Sequence, residues 1–416
     1  MLEKKLLGKN WKSTKKIIKT YALALASLCV VLLLGAAGHA SPAGGGETPL
    51  LGVDEGWAWP VIVIPPPEGW DGPLGESVKY GLRMAEREIS RQREGIRGSE
   101  VTFMFSTIGE ISELRARMNT WKGMNAGIVI SFAGQELNEV LKSLCVQSGP
   151  CVIFAGGEDI AVKDPSTGMP YRYLFALDLP YFARANALSE YASAKGAEMA
   201  AIITDQLSPK LAKGAEENVR LLRGRGIDAF SMFVPAMTIY QFNAQVQTAE
   251  SSGASVIASW LDSMSTLSIW RTTSMNRNGT VIHYPGSAHK FLLDAEGLIL
   301  VDKDGTLKIN EEGKRALTSK GLDMFAKSTP DIVTTAKAYA LGKWTISAYV
   351  NAVSPDAPSL SLALSRVTGI PLLDETFSID PRTNRPESRQ YGVLRVQNRR
   401  FVPVGRVEVR SVETVE

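Results

Sequence analysis

The stretch from Ala126 to Glu158 constrains the fold of this chain more than any other. It holds two short apolar runs, at residues 127–130 and 152–154, separated by a helical pattern of apolar residues. Uninterrupted apolar runs are typical of strands buried on both faces of a parallel sheet. The stretch therefore predicts a β-α-β unit whose two loops lie at the carboxyl edge of the sheet, where ligands bind. The glycines in these loops could equally serve only as tight turns.

The alternation of strand and helix patterns extends from about residue 60 to residue 284. This order predicts doubly wound parallel sheets with helices on both faces. The clearest helix start is Ser208-Pro209, with serine at the N-cap and proline in the first turn. In the last third, a long helix pattern at 332–350 is followed by residues 391–404, which predict a closing hairpin. A chain of 416 residues has room for two domains.

The first 40 residues have the layout of a secretory signal peptide. Seven lysines precede an apolar run at 21–34, and small residues lead to Ala40, after which cleavage is expected. An uncleaved anchor is the alternative, although the run is shorter than the roughly 20 residues of a spanning helix. Residues 41–47 are expected to form a flexible lead-in. Export without a lipid anchor predicts a periplasmic protein.

Outside this segment the charges nearly balance, with 39 basic and 42 acidic residues. A chain without a strong net charge has no field that would steer it to a polyanion or a membrane surface. Nucleic acid is therefore not an expected partner.

Two cysteines of the exported chain, Cys145 and Cys151, bracket a Gly-Pro turn. In an oxidising compartment a pair this close in sequence predicts a disulfide. The alternative is two buried free thiols, since free cysteine packs well inside proteins.

Patterns that carry catalysis are missing from the sequence. There is no phosphate-binding loop, dinucleotide fingerprint, nucleophile elbow or zinc-protease motif. His283 and His289 flank a Pro-Gly turn, but two histidines are too few ligands for a metal ion. The sequence therefore predicts no catalytic residues, metal or cofactor.

Several segments resemble, in order and spacing, one family of binding proteins. They are PLGESVKYGLRMAEREIS, the stretch YRYLFALDLPYFARANALSEYASAKGAEMAAIITDQ, the helix pattern AKAYALGKWTISAYVNAV, the turn FSIDPRTNR and the final YGVLRVQNRRFVPV. Together with the β-α-β unit they resemble the type I periplasmic solute-binding proteins, in particular the branched-chain amino-acid and amide receptors of ABC transporters. The resemblance covers roughly residues 61–409.

The resemblance implies an α/β fold of two doubly wound parallel-sheet lobes joined by three crossovers. Lobe 1 would hold residues 48–176 and 285–372, and lobe 2 would hold 178–284 and 375–410, leaving 411–416 as a tail. A monomer would hold a small solute in the cleft between the lobes, close by hinge motion, and deliver the solute to a membrane permease.

Candidate ligand residues lie in the loops that follow the predicted strands. Backbone N–H groups and hydroxyls there suit an anion, acidic side chains suit a cation, and aromatic side chains suit an apolar body. Each could equally be structural, as a turn, a helix cap or a core residue. The candidates are Ser131, Phe132, Ala133, Gly134, Ala155, Gly156, Gly157, Glu158, Asp205, Gln206, Ser208, Trp260, Asp262, His283, Tyr284 and Ser287.

The expected ligand is a small polar solute such as an amino acid, an amide or a related compound. The loop 155–158 lacks the hydroxyl that amino-acid binders of the resembling family carry there, which argues against leucine, isoleucine and valine. A sensor ectodomain or a periplasmic adaptor built on the same fold remains the alternative to a transport receptor.

Overall fold

The computed structural model describes residues 58–90, 100–108, 111–205, 207–234, 242–276, 279–304, 331–372 and 375–411. The predicted signal peptide, the lead-in and Gln206 lie outside these ranges. In the part of the chain that the structure describes, no helix is long and apolar enough to cross a membrane.

The strands and helices follow one another in the alternating order that the sequence predicts. The strands are β1 (Ala58–Ile64), β2 (Glu100–Phe105), β3 (Ile128–Ser131), β4 (Cys151–Phe154), β5 (Leu174–Ala176), β6 (Met199–Asp205), β7 (Asp228–Val234), β8 (Val256–Trp260), β9 (Val281–Tyr284), β10 (Ile299–Asp302), β11 (Ile370–Leu372), β12 (Glu375–Phe377), β13 (Ile379–Asp380), β14 (Arg385–Pro386), β15 (Ser388–Gln397) and β16 (Arg400–Arg410). The helices are α1 (Pro73–Ser90), α2 (Ile111–Gly123), α3 (Gln135–Cys145), α4 (Ala183–Ala194), α5 (Pro209–Gly224), α6 (Asn243–Ser251), α7 (Ser263–Asn276), α8 (Ile332–Asn351) and α9 (Ala357–Leu364).

Lobe 1 is built on a parallel sheet of strand order β2-β1-β3-β4-β5. Side chains alternate between its two faces, as the period of a strand requires. Ile128 and Ile130 pack under α1, α8 and α9, whereas Val129 packs under α2 and α3. The apolar runs are continuous because both faces of the sheet are covered.

Lobe 2 is built on a second sheet of order β16-β15-β10-β9-β8-β6-β7, in which β6 to β10 are parallel. Helices α4 and α5 cover one face, and α6 and α7 cover the other. The hairpin of β15 and β16 closes this sheet antiparallel to β10. The predicted α/β fold of two doubly wound lobes joined by three crossovers is confirmed.

One predicted boundary between the lobes is wrong. Residues 285–304 were expected in lobe 1, but β10 pairs with β9 and β15 in the sheet of lobe 2. The second crossover therefore follows Asp302. The error arose because an apolar run such as 299–301 predicts a buried strand without indicating which sheet receives it.

The predicted disulfide is also wrong, because Cys145 and Cys151 are buried free thiols. Cys145 ends α3 and packs on the α2 side of the sheet, whereas Cys151 begins β4 and points to the opposite face. The Cys151 Sγ lies 3.3 Å from the carbonyl oxygen of Ala357. Burial raises the pKa of Cys145 to about 12 and also raises the pKa of Cys151. Both sulfurs therefore serve as small core side chains.

Helices α1 and α8 approach closely through glycine. A Cβ atom at Gly81 would lie 2.2 Å from the carbonyl oxygen of Thr335, and one at Gly342 would lie 2.6 Å from the Cβ of Ala85. These separations are far below van der Waals contact, so only glycine fits. The contact fixes α8 against the core of lobe 1.

Candidate functional site

The two lobes repeat one strand order, which locates their ligand-binding edges. β2-β1-β3-β4-β5 in lobe 1 corresponds to β7-β6-β8-β9-β10 in lobe 2. In both, the order reverses once, between β1 and β3 and between β6 and β8. Ligands of doubly wound sheets bind outside the carboxyl ends of the strands at this reversal.

A cavity of about 680 Å³ opens at the reversal in lobe 1. It lies between the proline run 65–67 and the loop after β3, and Ala133 and Gly134 line it. The preceding Ser131 is fully buried, and its hydroxyl donates to Asn138 Oδ1 at 2.6 Å. The hydroxyl oxygen of Ser131 in turn accepts the backbone N–H of Ala133 at 3.3 Å. Ser131 therefore holds the loop from inside, while Phe132 packs against the core.

The loop after β4 meets lobe 2 through Glu158. Its carboxylate accepts three N–H bonds of 2.9–3.1 Å from Arg184 on α4, and Lys303 Nζ lies 3.2 Å away. Burial alone would raise the pKa of Glu158, but Arg184 and Lys303 outweigh it and hold that pKa below its usual range. Of the residues before it, Ala155 and Gly157 are buried and Gly156 is exposed. Glu158 is thus an interlobe ion-pair residue.

A second buried carboxylate, Asp178, lies in the first crossover. It accepts a bond from Lys303 at 2.6 Å, and Arg389 and Lys337 lie 3.8 and 4.0 Å away. Burial alone would raise the pKa of Asp178, but these cations hold it well below its usual range. Lys337 belongs to α8 of lobe 1 and Arg389 to β15 of lobe 2. Asp178 and Glu158 therefore share Lys303 and connect both lobes with the crossovers.

A cavity of about 460 Å³ lies between the lobes, beside Glu158. Residues 158–165 of lobe 1 form one wall, and residues 180–182 with Lys210 and Lys213 of lobe 2 form the other. Lys210 Nζ reaches across to Asp159 at 2.7 Å. Arg385, from β14, lines the floor. Sequence reasoning missed Arg385 and the lysines, because they do not follow directly after a predicted strand.

Arg385 is buried and bound to neutral backbone atoms. Its guanidinium donates to the carbonyl oxygens of Gly157 at 3.0 Å and Ile160 at 2.5 Å, and to that of Asp178. Burial lowers the pKa of Arg385 to about 10, which still leaves the group charged at neutral pH. The floor of the interlobe cavity therefore carries a fixed positive charge.

Three predicted candidates at the edge of lobe 2 act locally. Asp205 Oδ1 accepts the N–H of Leu207 at 2.7 Å, and Ser208 is the N-cap residue of α5. Asp262 accepts the N–H groups of Met264 at 2.8 Å and Ser265 at 3.0 Å. Burial alone would raise the pKa of Asp262, but hydrogen bonds from Ser265 and Met264 outweigh it and lower that pKa. Asp205, which is half-buried, and Asp262, which is exposed, therefore shape turns at this edge of the sheet.

The assignment of Trp260 and His283 to the cleft is wrong. Trp260 is fully buried and donates its indole N–H to Asn218 on α5 at 3.0 Å. The His283 ring is buried against Tyr191 of α4, with 5.6 Å between ring centroids. Both side chains point toward the α4 and α5 layer, because alternate residues of a strand face opposite sides.

The last two candidates follow β9. Tyr284 is buried on the α6 and α7 side, and its ring occupies the space where a Cβ of Gly286 would stand. Ser287 is half-buried. Among the described ranges, no group of three or more His, Cys, Asp or Glu is placed to hold a metal ion.

The His283→Gln variant should lose less stability than the parent chain when the pH is lowered into the mildly acidic range. Burial lowers the pKa of His283 to about 4, so between that value and its unfolded pKa near 6.5 the unfolded chain binds more protons. Stability therefore falls as the pH drops through this window, by about 2 kcal/mol between about pH 7 and pH 5. Denaturant unfolding across this pH range measures the slope.

The matched control is His289→Gln, because His289 is exposed. This variant should keep the pH dependence of the parent chain. An equal slope in His283→Gln and the parent would show that His283 is protonated in the folded state.

This chain is similar to known proteins in structure but not in sequence. No family model matches the chain, and no curated protein matches it in sequence. Solved structures do match. A type 1 periplasmic binding protein from Bordetella pertussis aligns with a TM-score of 0.55 and 13% identity, over 84% of this chain and all of the other.

Two further structures carry ligand names. A leucine-binding protein from Thermotoga maritima aligns with a TM-score of 0.58 and 15% identity, over 84% of this chain and 98% of its own. An ABC-transporter solute-binding protein from R. palustris, solved with benzoate, aligns with a TM-score of 0.57 and 14% identity, over 86% and 98%. Identities this low establish shared architecture. The chain therefore has the fold of the type I periplasmic binding proteins.

Proposed function

We propose that this chain is the solute-binding receptor of an ABC transporter. It acts in the periplasm as a monomer, after its signal peptide is removed behind Ala40. A small polar solute enters between the lobes, the lobes close over it by hinge motion, and the loaded receptor docks on a membrane permease. The role is binding, without catalysis.

The observation that carries the proposal is the interlobe cavity of about 460 Å³. Its size falls in the usual range for small-ligand sites, and such sites favour the boundary between two domains. Both lobes and the hairpin of β13 and β14 contribute to its lining, so closure of the lobes would enclose a solute. The architecture shared with solute-binding proteins supports the same role.

The alternative is a sensor or a periplasmic adaptor with this fold. One observation favours it. Glu158, a candidate for a ligand ammonium group, is already bound by Arg184 and Lys303. A chain whose lobes are joined by buried ion pairs could present a fixed surface to a protein partner.

The test is solute binding by the ligand-stripped protein, followed through its melting temperature and its radius of gyration. A receptor should be stabilised by one solute class among amino acids, amides and organic acids, because a ligand that binds only the folded state raises its stability. Small-angle scattering should show a smaller radius of gyration with that solute. Absence of any stabilising solute, together with an unchanged radius, would favour the adaptor.

A charge swap between Asp159 and Lys210 tests whether their ion pair holds the two lobes together. Asp159→Lys places two lysines together, and Lys210→Glu places two acids together, so each single variant should open the cleft and enlarge the ligand-free radius of gyration. The double variant restores an ion pair and should restore the parent radius. Identical radii in all four proteins would mean that this pair does not hold the lobes together.

A further inference from the structure

Two of the three acidic side chains that line the interlobe cavity are already paired with cations. Glu158 is bound by Arg184 and Lys303, and Asp159 is bound by Lys210. Asp164 accepts the backbone N–H and the hydroxyl of Ser166 at 2.8 and 2.7 Å. Glu158 and Asp159 therefore have cationic partners, whereas Asp164 is bound by neutral donors and keeps its negative charge at one end of the cavity.

Lys210 is the basic side chain of this cavity that pairs with an acid, and three other basic side chains line the cavity without an ion pair in the part of the chain that the structure describes. Lys163, Lys213 and Arg385 line it, and within the described ranges no carboxylate lies at ion-pair distance from any of the three. Arg385 is the buried one, and its hydrogen bonds go to carbonyl oxygens, which carry no net charge. Burial lowers the pKa of Arg385 more than the nearby carboxylates Asp178, Glu158 and Asp159 raise it, so an anion in direct contact with the guanidinium would stabilise its charge.

The remaining wall is apolar and aromatic. Ile160 and Val162 are buried against the cavity, and Pro165 and Pro180 line it as well. Phe182 presents its ring to Lys213, whose Nζ lies 4.6 Å from the ring centroid. The cavity thus combines a cationic floor and rim with an apolar body, as a site for an amphipathic anion requires.

We propose that this cavity binds an organic carboxylate with an apolar or aromatic body. The carboxylate faces Arg385 and Lys213, where charge-assisted hydrogen bonds are available. The body packs on Phe182 and the proline wall. This inference rests on the proposed receptor function and narrows its ligand from small polar solutes to anionic ones.

The experiment uses the full chain, stripped of ligand, and compares matched probes by calorimetric titration. Benzoate, benzamide and benzylamine share a ring and differ in charge, and hexanoate and hexanamide repeat the comparison without a ring. The acids should bind, and each amide or amine should bind at least about tenfold more weakly, since it lacks the charge that the basic groups pair.

The variant is Lys213→Gln, which changes an exposed side chain and leaves the buried Arg385 in place. It should weaken acid binding by about tenfold. Lys290→Gln is the control, because Lys290 is exposed and lies outside the cavity; this variant should bind like the parent. Arg385→Lys adds a second variant that keeps the charge but loses the planar fork, and it should also bind acids more weakly.

The outcomes separate the inference from the proposed function. Equal binding of acids and amides, or unchanged acid binding in Lys213→Gln, overturns the anionic site while a receptor remains. Binding of some other solute but of no acid does the same. If no solute of any charge class binds, both the inference and the receptor function are overturned.

Discussion

Replacing Asp178 with asparagine should lower the free energy of unfolding by about 3–5 kcal/mol, the range seen when one member of a buried ion pair is removed. The change keeps the shape of the side chain and removes its charge. Lys303 would keep its 3.2 Å contact with Glu158, and Arg389 would keep Glu375 at 2.7 Å, but both cations would lose the charge of Asp178. Urea or guanidinium unfolding measures the loss.

Asp159→Asn is the matched control for this variant. It removes the acid of a partly exposed interlobe pair, and such pairs contribute at most about 1 kcal/mol. Equal losses in the two variants would contradict the view that burial makes Asp178 the more important carboxylate. A loss in Asp178→Asn that vanished at high salt would point to a solvent-accessible pair, since buried pairs are screened much less.

Replacing Gly81 with alanine is expected to cost about 3 kcal/mol, because the new Cβ meets the backbone of α8. The close atoms are the carbonyl oxygen of Thr335 at 2.2 Å and the amide nitrogen of Tyr339 at 2.9 Å. Backbone atoms cannot rotate away as a side chain can, so α1 and α8 must separate. Thermal or denaturant unfolding records the effect.

Gly224→Ala gives the comparison for that variant. Gly224 ends α5 and is exposed. A Cβ atom added at this position would meet no neighbouring atom within 4 Å. Alanine favours the helix there, so stability should be unchanged or rise by up to about 1 kcal/mol. A similar loss at both glycines would mean that the cost does not arise from the contact of α1 with α8, because the effect of alanine on the unfolded chain alone raises stability.

Sequence periodicity was sufficient for the α/β fold but not for the direction of individual side chains. The run 256–260 is apolar except for Ser259 and buried throughout, since both faces of its strand are covered, and nothing in it distinguishes a cleft residue from a core residue. Trp260 and His283 were therefore assigned to the cleft and lie in the core. The same ambiguity hid the opposite directions of Cys145 and Cys151.

The ion-pair network was beyond sequence reasoning for a different reason. Glu158, Asp178 and Lys303 are far apart along the chain and meet only because three crossovers pass through one region. Arg385 was missed because a single arginine in a turn has no periodic signal. Ligand contacts at strand ends follow from topology, whereas contacts contributed by crossovers require the folded chain.

The position of β10 means that the sheet of lobe 2 cannot be completed until β15 has been synthesised. The side of β10 away from β9 is covered by β15, which follows much later in the sequence, and the core of lobe 1 is likewise completed by α8 and α9. Until those segments emerge, the nascent polypeptide carries an open sheet edge and an uncovered apolar face, and both invite association with other chains. Pairing across such sequence distances also slows folding. The segments that cover β10 and the face of the lobe 1 sheet thus convert an aggregation-prone intermediate into a folded molecule.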